Sequence, residues 1–555
     1  MVVASILGGQ NDRHRDDPIA SLLKAKLNTS WWWLPIGAAA LYLLMAFLLG
    51  FKTIGLQYDE SLNQHGAVHL LTSTEKPSFA YHRGSWIPLF GRYWPLMIIP
   101  YAGAVKHYVL VLPFAIFGTD AAVGRFASAL LGAIGIWGIA RFLQGEIGLR
   151  AAAAVAGILA IHPAYLIHTV YDNGTVVTWM AIVGLLAIAV RRYKEQGTAF
   201  SALAIGFLMG IGIWNRANFV WMLASIILAC AIVYRRKLCI PFAHLAAMTA
   251  GGVVGVAPLL VFQVLSRWEI LRSMEVAQAG QSLTSLLAWR LGLLADTLLI
   301  TNENRGIWGG PPLPLWQTLF LSVTLILSLL ICFLVRGRGE HAGSNLNAFR
   351  RASALGFLFF ALLMLTSRLR IASHHLVMLV PIAIIISVIA LQVLLSRSNK
   401  AWLLVGAVAL IYVGSALNWD LTAARGFRET GGLGSWSDAI YSVNDYLEAH
   451  YDGREVKILD WGLKNNLYVL SYGKLTGPEI FSNATRDNMK AGTSWDAVVS
   501  EGGVFLTNSA GNLNFPVATE GFLAALTRSG YEFRRIEFRQ KNGAPYAEIL
   551  DVPAQ

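Results

Sequence analysis

About a dozen apolar runs, each close to the length a membrane-spanning helix needs, set the terms for this chain. A span takes roughly 20 mostly apolar residues. Backbone polar groups in lipid must be satisfied within the segment, so these runs predict α-helices. The apolar runs lie near 32–51, 101–118, 121–143, 151–170, 174–190, 199–213, 217–234, 240–265, 313–335, 352–366, 375–396 and 401–417. Hydrophobic residues make up 55% of the 555 and charged residues only 14%, which excludes an ordinary soluble enzyme.

The predicted fold class is therefore a polytopic α-helical membrane protein of 11 to 13 spans, followed by a soluble α/β domain. Three regions are expected. Residues 1–31 form a basic cytoplasmic segment, 32–417 the transmembrane domain, and 418–555 an extracytoplasmic domain. Trp31, Trp32 and Trp33 suit an interfacial belt. The first apolar run is too long for a cleavable signal-peptide core.

The net charge of +12 does not point to nucleic acid, because much of it sits in short loops such as "RRYKEQ" (Arg191–Gln196) and "RRK" (Arg235–Lys237). These read as cytoplasmic anchors. With "SRSNK" (Ser396–Lys400) also inside, loops 53–100 and 266–312 fall outside. The parity of crossings is then wrong by one. Either 101–118 does not cross fully, or a further helix lies near Leu283–Ile300. The three cysteines suggest neither a disulfide framework nor a Cys metal site.

Beyond Asn418 the pattern changes. "EVKILDWGL" and "GGVFLTN" read as strands, and "NNLYVLSYG" and "EGFLAALTRSG" as helices ending at glycine. The final "YEFRRIEFRQKNGAPYAEILDV" reads as a hairpin turning at Asn542-Gly543. Asn483-Ala-Thr matches a glycosylation sequon of little weight. No internal repeat is visible, which argues against many transporter folds.

The polar residues that interrupt the apolar pattern gather on the predicted outer side. Asp59 and Glu60, in "YDESLNQHGAVHLL", follow the first run. A helix there has Leu62, Gly66 and Leu70 on one face and Ser61, His65 and His69 on another, as a surface helix would. Its acids either cap that helix or supply a general base. Lys106 and His107 interrupt the next run; the lysine either snorkels or meets a lipid phosphate. Asp172-Asn173-Gly174 is turn chemistry or a sugar-orienting carboxylate.

Asn215, Arg216 and Asn218 lie outside, where a cation calls for an anionic partner. "TSRLRIASHHLVMLVP" groups Arg368, Arg370, His374 and His375 at the mouth of a span. Adjacent histidines diverge by about 100° on a helix and no further ligands complete a metal site, so phosphate and sugar recognition fits better. "NENRGIWGG" (Asn302–Gly310) reads as a loop that covers a site, and His162-Pro163 as a kink.

In order and spacing, these residues resemble the GT-C membrane glycosyltransferases, on the branch of protein O-mannosyltransferases and lipid A aminoarabinose transferases. The resemblance rests on "YDESLNQHGAVHLL", on "FAIFGTDAAVGRFASALLGA" with Arg125, on "AGILAIHPAYLIHTVYD" and on "RIASHHLVMLVPIAII". It spans about residues 30–400. The chain departs from the family in lacking a Pro-Pro pair near the second span. It carries Arg216 where relatives often have lysine, and Ser-Leu-Asn where aminoarabinose enzymes follow Asp-Glu with Pro-Arg-Tyr.

The resemblance implies an inverting transferase working at the outer face of a membrane, expected to be a bacterial inner membrane. The donor would be a polyprenyl-phosphate sugar and the acceptor a hydroxyl of a glycan, lipid or protein. Asp59 would be the base. Glu60, Lys106, His107, Asp172, Arg216, Arg368, Arg370, His374 and His375 would bind substrate. No cofactor is firmly implied, although acids beside a phosphate leave Mg or Mn open. A transporter or flippase of lipid-linked sugars is the alternative reading.

Overall fold

A computed structural model describes residues 33–172, 174–235, 240–273, 282–299, 302–335, 345–367, 369, 371–398, 400–481 and 495–554. The N-terminal segment, the sequon at Asn483, and Arg368 and Arg370 lie outside the described residues.

The first run forms α1 (Trp33–Leu49). The outer loop then holds two short helices, α2 (Tyr58–Leu62) and α3 (His65–Thr72), and two small antiparallel pairs. These are β1 (Trp86–Leu89) with β2 (Arg92–Pro95), and β3 (Met97–Ile99) with β4 (Ala102–Gly103). Next come α4 (Val105–Phe117), α5 (Ala121–Ile147) and a broken span, α6 (Leu149–Ala160) with α7 (Pro163–Val170). That pair bends by 60° at His162-Pro163. Pro163 has no N–H to continue the α6 ladder, and its fixed φ opens α7 instead. The predicted kink is therefore present.

The membrane region continues through α8 (Val176–Gln196), α9 (Ala199–Asn215), α10 (Phe219–Tyr234) and α11 (Phe242–Leu265). Then follow α12 (Leu283–Leu298), α13 (Leu315–Leu334), α14 (Asn345–Thr366), α15 (Ser373–Leu376), α16 (Leu379–Arg397) and α17 (Ala401–Thr430). Among the described residues seven helices are long and apolar enough to cross a membrane, eight counting the broken pair, with four shorter apolar helices beside them. Both segments weighed for the parity of crossings contain helices. α4 is about 20 Å long, short of the roughly 30 Å hydrocarbon layer, and α12 is the further helix.

α9 and α11 pack backbone to backbone. A Cβ on Gly206 would fall 1.8 Å from the carbonyl of Met248, and one on Gly255 2.3 Å from that of Phe207. Small residues let membrane helices approach this closely.

The change in composition at 418 falls inside α17, which runs unbroken to Thr430. At about 45 Å, α17 exceeds the bilayer core and reaches the C-terminal unit. That unit contains α18 (Ala439–His450), α19 (Lys464–Leu470), α20 (Trp495–Ser500), α21 (Pro516–Ser529) and a sheet. The sheet comprises β5 (Val456–Ile458), β6 (Gly503–Asn508), β7 (Arg534–Arg539) and β8 (Pro545–Val552) in the order β5-β6-β8-β7. β5 and β6 are parallel, and the other pairs antiparallel. Side chains alternate across the sheet. Val504 and Leu506 join Ile440, Val443 and Leu447 of α18, while Phe505 meets Phe522 and Leu526 of α21. The predicted strands, helices and final hairpin are all present.

The C-terminal unit docks on the outer loop. Gly55 N–H donates to the Trp436 carbonyl (2.7 Å), and Tyr441 donates to that of Ile54 (2.9 Å). His69 Nδ1 lies 3.1 Å from the Tyr468 hydroxyl. This docking overturns one expectation. α2 and α3 are not an exposed surface helix, because Ser61, His65, Gly66, His69 and Leu70 are all buried beneath it.

Candidate active site

The helix that carries the two acids is fixed by its first residues. Gln57 caps α2, its Oε1 accepting the N–H groups of Asp59 (2.7 Å) and Glu60 (3.2 Å). A cap of this kind satisfies donors that have no partner inside the helix. Adjacent side chains then diverge, and the two acids meet different surroundings.

Glu60 turns inward. Arg125 of α5 donates through Nε to Oε1 (2.8 Å) and through Nη2 to Oε2 (2.7 Å). The same guanidinium donates to the carbonyls of Phe51 (3.0 Å), Ile54 (2.9 Å) and Gly55 (2.7 Å). Both residues are fully buried. Glu60 therefore does not face substrate as expected; Arg125 engages both its oxygens, and the pair anchors the outer loop to the membrane domain. A bidentate guanidinium–carboxylate contact is both strong and directional.

Lys106 and Asp172 also find each other. Lys106 Nζ lies 2.5 Å from Asp172 Oδ2, with both side chains at 0% exposure. Asp172 Oδ1 accepts the Val177 N–H at the start of α8 (2.8 Å). The two residues offered for a lipid phosphate and for sugar hydroxyls thus pair with each other in the interior. Asp172 is saturated by a lysine and a helix terminus, where a carboxylate is electrostatically favoured. His107 is likewise buried, its Nε2 3.2 Å from the Leu62 carbonyl. It packs behind α2 and α3 instead of facing substrate.

Asp59 differs from both acids. It is half-buried, and its nearest side-chain partner is Gln57 Nε2 at 3.5 Å. Among the described residues no lysine or arginine pairs directly with it. Burial raises its pKa above the ordinary carboxylate range, and the Gln57 hydrogen bond and the Arg216 charge oppose that rise. Asn63 Nδ2 donates to the backbone carbonyls of Asp59 (2.8 Å) and Asp172 (3.2 Å), tying the helix to the buried ion pair.

Arg216 sits at the end of α9, held in place by an isolated bridge to Ala102. It donates to the Gly174 carbonyl, its Nη2 lies 2.7 Å from His375 Nε2, and its Nε has no partner among the described residues. Gly174 has φ +95°, and a Cβ there would meet Arg216 Nη1 at 2.6 Å and His374 Cδ2 at 3.0 Å. Only glycine fits both the conformation and the space. The rings of His374 and His375 are 4.1 Å apart. His168 of α7 lies within electrostatic reach of both, with neither ring nitrogen bonded. Asn218 Oδ1 is also buried without a partner. Asn215, by contrast, is used internally, accepting from Thr178 (2.7 Å).

The mouth loop is held by a residue the sequence reading missed. Arg290 of α12 donates to the carbonyls of Met364, Leu365, Ser367 and Leu369. A lone arginine within "LLAWRLGLLADTLL" was the available signal. His168 carried a similar signal inside "AYLIHTVYD". The "NENRGIWGG" segment does not cover this site. Its Trp308 packs on Trp419 and Phe427 of α17.

An apolar cavity begins beneath this patch, between α5, α8, α9, α10 and α16. It is lined by Met180, Met209, Met222, Met378, Pro381 and Ile385, among others. Met378 follows His375 by three residues, and Met209 lies two turns before Arg216.

The donor set around Asp59 does not fit a divalent cation. Glu60 is committed to Arg125 and Asp172 to Lys106. Among the described residues no three His, Cys, Asp or Glu converge.

Residues 103–262 match the family model described as dolichyl-phosphate-mannose-protein mannosyltransferase. The whole structure is similar to ArnT from Cupriavidus metallidurans in the apo state. The TM-score is 0.58 at 12% identity, over 93% of this chain and 98% of that one. The same protein bound to undecaprenyl phosphate gives a TM-score of 0.58 at 13% identity, over 94% and 98%. An Archaeoglobus fulgidus oligosaccharyltransferase in complex with Zn and sulfate gives 0.51 at 13% identity, over 92% and 72%. No curated protein sequence matches the chain. The matched segment and the structural likeness over nearly the whole chain agree: the chain is a membrane protein with the GT-C fold of glycosyltransferases.

Proposed function

We propose that the chain is an inverting glycosyltransferase that moves a sugar from a polyprenyl-phosphate donor to a hydroxyl acceptor at the outer, periplasmic face of a bacterial inner membrane. The observation that carries this reading is the isolation of Asp59. Of the three acids in the cluster, it alone keeps its carboxylate free of a direct cation. A carboxylate with a raised pKa is a stronger base in its ionised form.

In this reading Asp59 takes the proton of the acceptor hydroxyl. The acceptor oxygen attacks the anomeric carbon from the face opposite the phosphate. The bond from that carbon to the phosphate oxygen breaks, and polyprenyl phosphate leaves with the electron pair. Arg216 stabilises the growing charge, with the imidazoles of His168, His374 and His375 beside it as hydrogen-bonding groups. Arg368 and Arg370 are assigned to the same headgroup by their position in the chain, next to the carbonyls that Arg290 holds. The apolar cavity below Arg216 and His375 suits an isoprenoid tail. The ArnT complex with undecaprenyl phosphate supports a donor of this chemistry. Lys106 and Asp172 act in this scheme as a buried brace for the loop.

The test uses the full chain reconstituted in sealed liposomes with undecaprenyl-phosphate-linked mannose, glucose and aminoarabinose. Release of undecaprenyl phosphate in step with glycosylated product supports the reading. Movement of an intact donor across the bilayer without cleavage supports a flippase instead.

A further inference from the structure

The seam between the outer loop and the C-terminal unit holds a second polar cluster that the donor chemistry does not use. It begins at the residue before the base. The Tyr58 ring lies 4.2 Å from that of Trp461, which is half-buried at the seam. Glu479, Tyr81 and Asp59 all act electrostatically on Tyr58, so the cluster and the base share one neighbourhood.

Three chain segments converge there. Lys464 of α19 is 4% exposed; its Nζ lies 3.3 Å from the Tyr81 hydroxyl and 5.4 Å from the Tyr81 ring centroid. The Tyr81 hydroxyl donates to Glu479 Oε2 at 2.7 Å. Burial pushes the lysine below its ordinary pKa and the glutamate above it, and each charge opposes the shift of the other. Asn465 is fully buried, and neither its amide oxygen nor its amide nitrogen has a partner. Tyr81 is 59% exposed and offers an aromatic face to solvent beside this cluster.

We propose that this seam is the acceptor site and that the acceptor is a neutral saccharide, an inference that rests on the transferase reading above. The charge balance argues against an anionic group, because Lys464 is already opposed by Glu479. A sugar ring supplies what remains. Its hydroxyls both donate and accept, matching a lysine and a carboxylate. Its C–H face stacks on aromatic rings such as the exposed Tyr81 and the half-buried Trp461. A peptide joining the sheet at this end is blocked, since the free edge of β5 is already paired. Ile458 N–H donates to the Pro478 carbonyl (2.8 Å), and Ile480 N–H to that of Ile458 (2.9 Å). A saccharide bound here presents a hydroxyl toward Asp59. That hydroxyl loses its proton to the carboxylate and gains the bond to the anomeric carbon, while polyprenyl phosphate departs.

The test is calorimetric titration of the full chain in detergent with maltotriose, cellotriose and mannotriose. A phosphorylated maltotriose and a Ser/Thr-rich peptide serve as competing classes. The expected result is saturable binding of at least one neutral trisaccharide. Tyr81→Phe keeps the ring but breaks the relay to Glu479. Because Tyr81 is exposed, this variant does not put the fold at stake, and it should weaken binding at least 3-fold. Glu479→Gln and Lys464→Met should weaken it at least 10-fold, with undecaprenyl phosphate binding unchanged. Asp59→Asn should keep saccharide binding and lose transfer. The proposal is overturned if no neutral trisaccharide binds, if Tyr81→Phe binds as wild type does, or if only the phosphorylated sugar or the peptide binds. Failure of wild type to bind undecaprenyl phosphate would instead strike the transferase reading itself.

Discussion

The two sides of one short helix, α2, behave in opposite ways. On the inner side, Glu60 and Arg125 satisfy one another and three backbone carbonyls besides, and Lys106 and Asp172 are equally closed. On the outer side, Asp59 has no cation within pairing distance among the described residues, and Arg216 Nε and both nitrogens of His168 are unpartnered. The sequence presents these groups as equals, charged residues breaking an apolar pattern. What separates them is saturation. A group whose hydrogen-bonding capacity is filled internally holds the fold, and one left open is available to a substrate.

The comparison is broken most sharply at Arg125. Arg125→Met leaves a buried carboxylate without a cation and three carbonyls without donors. The expected loss is about 3–5 kcal/mol, read as a collapse of the thermal transition in detergent. Glu60→Leu combined with Arg125→Met should restore much of it, because removing both partners leaves no orphan charge. A single Arg125→Met variant as stable as wild type would remove the distinction between the two sides.

On the open side, Arg216→Met should weaken undecaprenyl phosphate binding about 10- to 100-fold, the range for a lost charge-assisted hydrogen bond. Arg216→Lys should recover only part, since an ammonium lacks the planar fork. Equilibrium binding measures this, and unchanged affinity would take Arg216 out of the headgroup site. A smaller effect is expected at Asn63, which links Asp59 to Asp172 through two carbonyls. Asn63→Ala should cost about 1 kcal/mol per bond and lower kcat more than it raises KM, because it loosens the base and leaves the donor contacts in place.

The smallest effect is a displacement along the pH axis. Burial holds the Asp59 carboxyl above its ordinary range. The base works only when ionised, so kcat/KM should fall as pH drops through that raised value. Arg216 favours the ionised form. Arg216→Met should therefore raise the carboxyl further and move the acid limb of the profile to higher pH. A shift to lower pH would contradict the assignment.

Much of the membrane architecture was legible in the sequence because spans and kinks are local. Apolar length sets the helices, and His162-Pro163 marks the 60° bend. The terminal hairpin followed from Asn542-Gly543 between two alternating runs. The clustering of polar residues on one side was legible too, since charge placement follows the bilayer. Pairing was not. Lys106 and Asp172 lie 66 residues apart, and Glu60 and Arg125 lie 65 apart. No local pattern says which cation a given acid will meet. The seam was equally hidden, because Ser61 and Asn466 meet across 405 residues.

The central claim is that Asp59, and not Glu60, is the base. Its most direct test is single-turnover transfer from an undecaprenyl-phosphate sugar by wild type and by Asp59→Asn, each first shown to be folded and to bind undecaprenyl phosphate. Asp59→Asn keeps the shape and removes the charge. The account predicts donor binding within a few-fold of wild type and a transfer rate lower by about 10²- to 10⁴-fold, the usual contribution of a general base. Transfer by Asp59→Asn at the wild-type rate would contradict it.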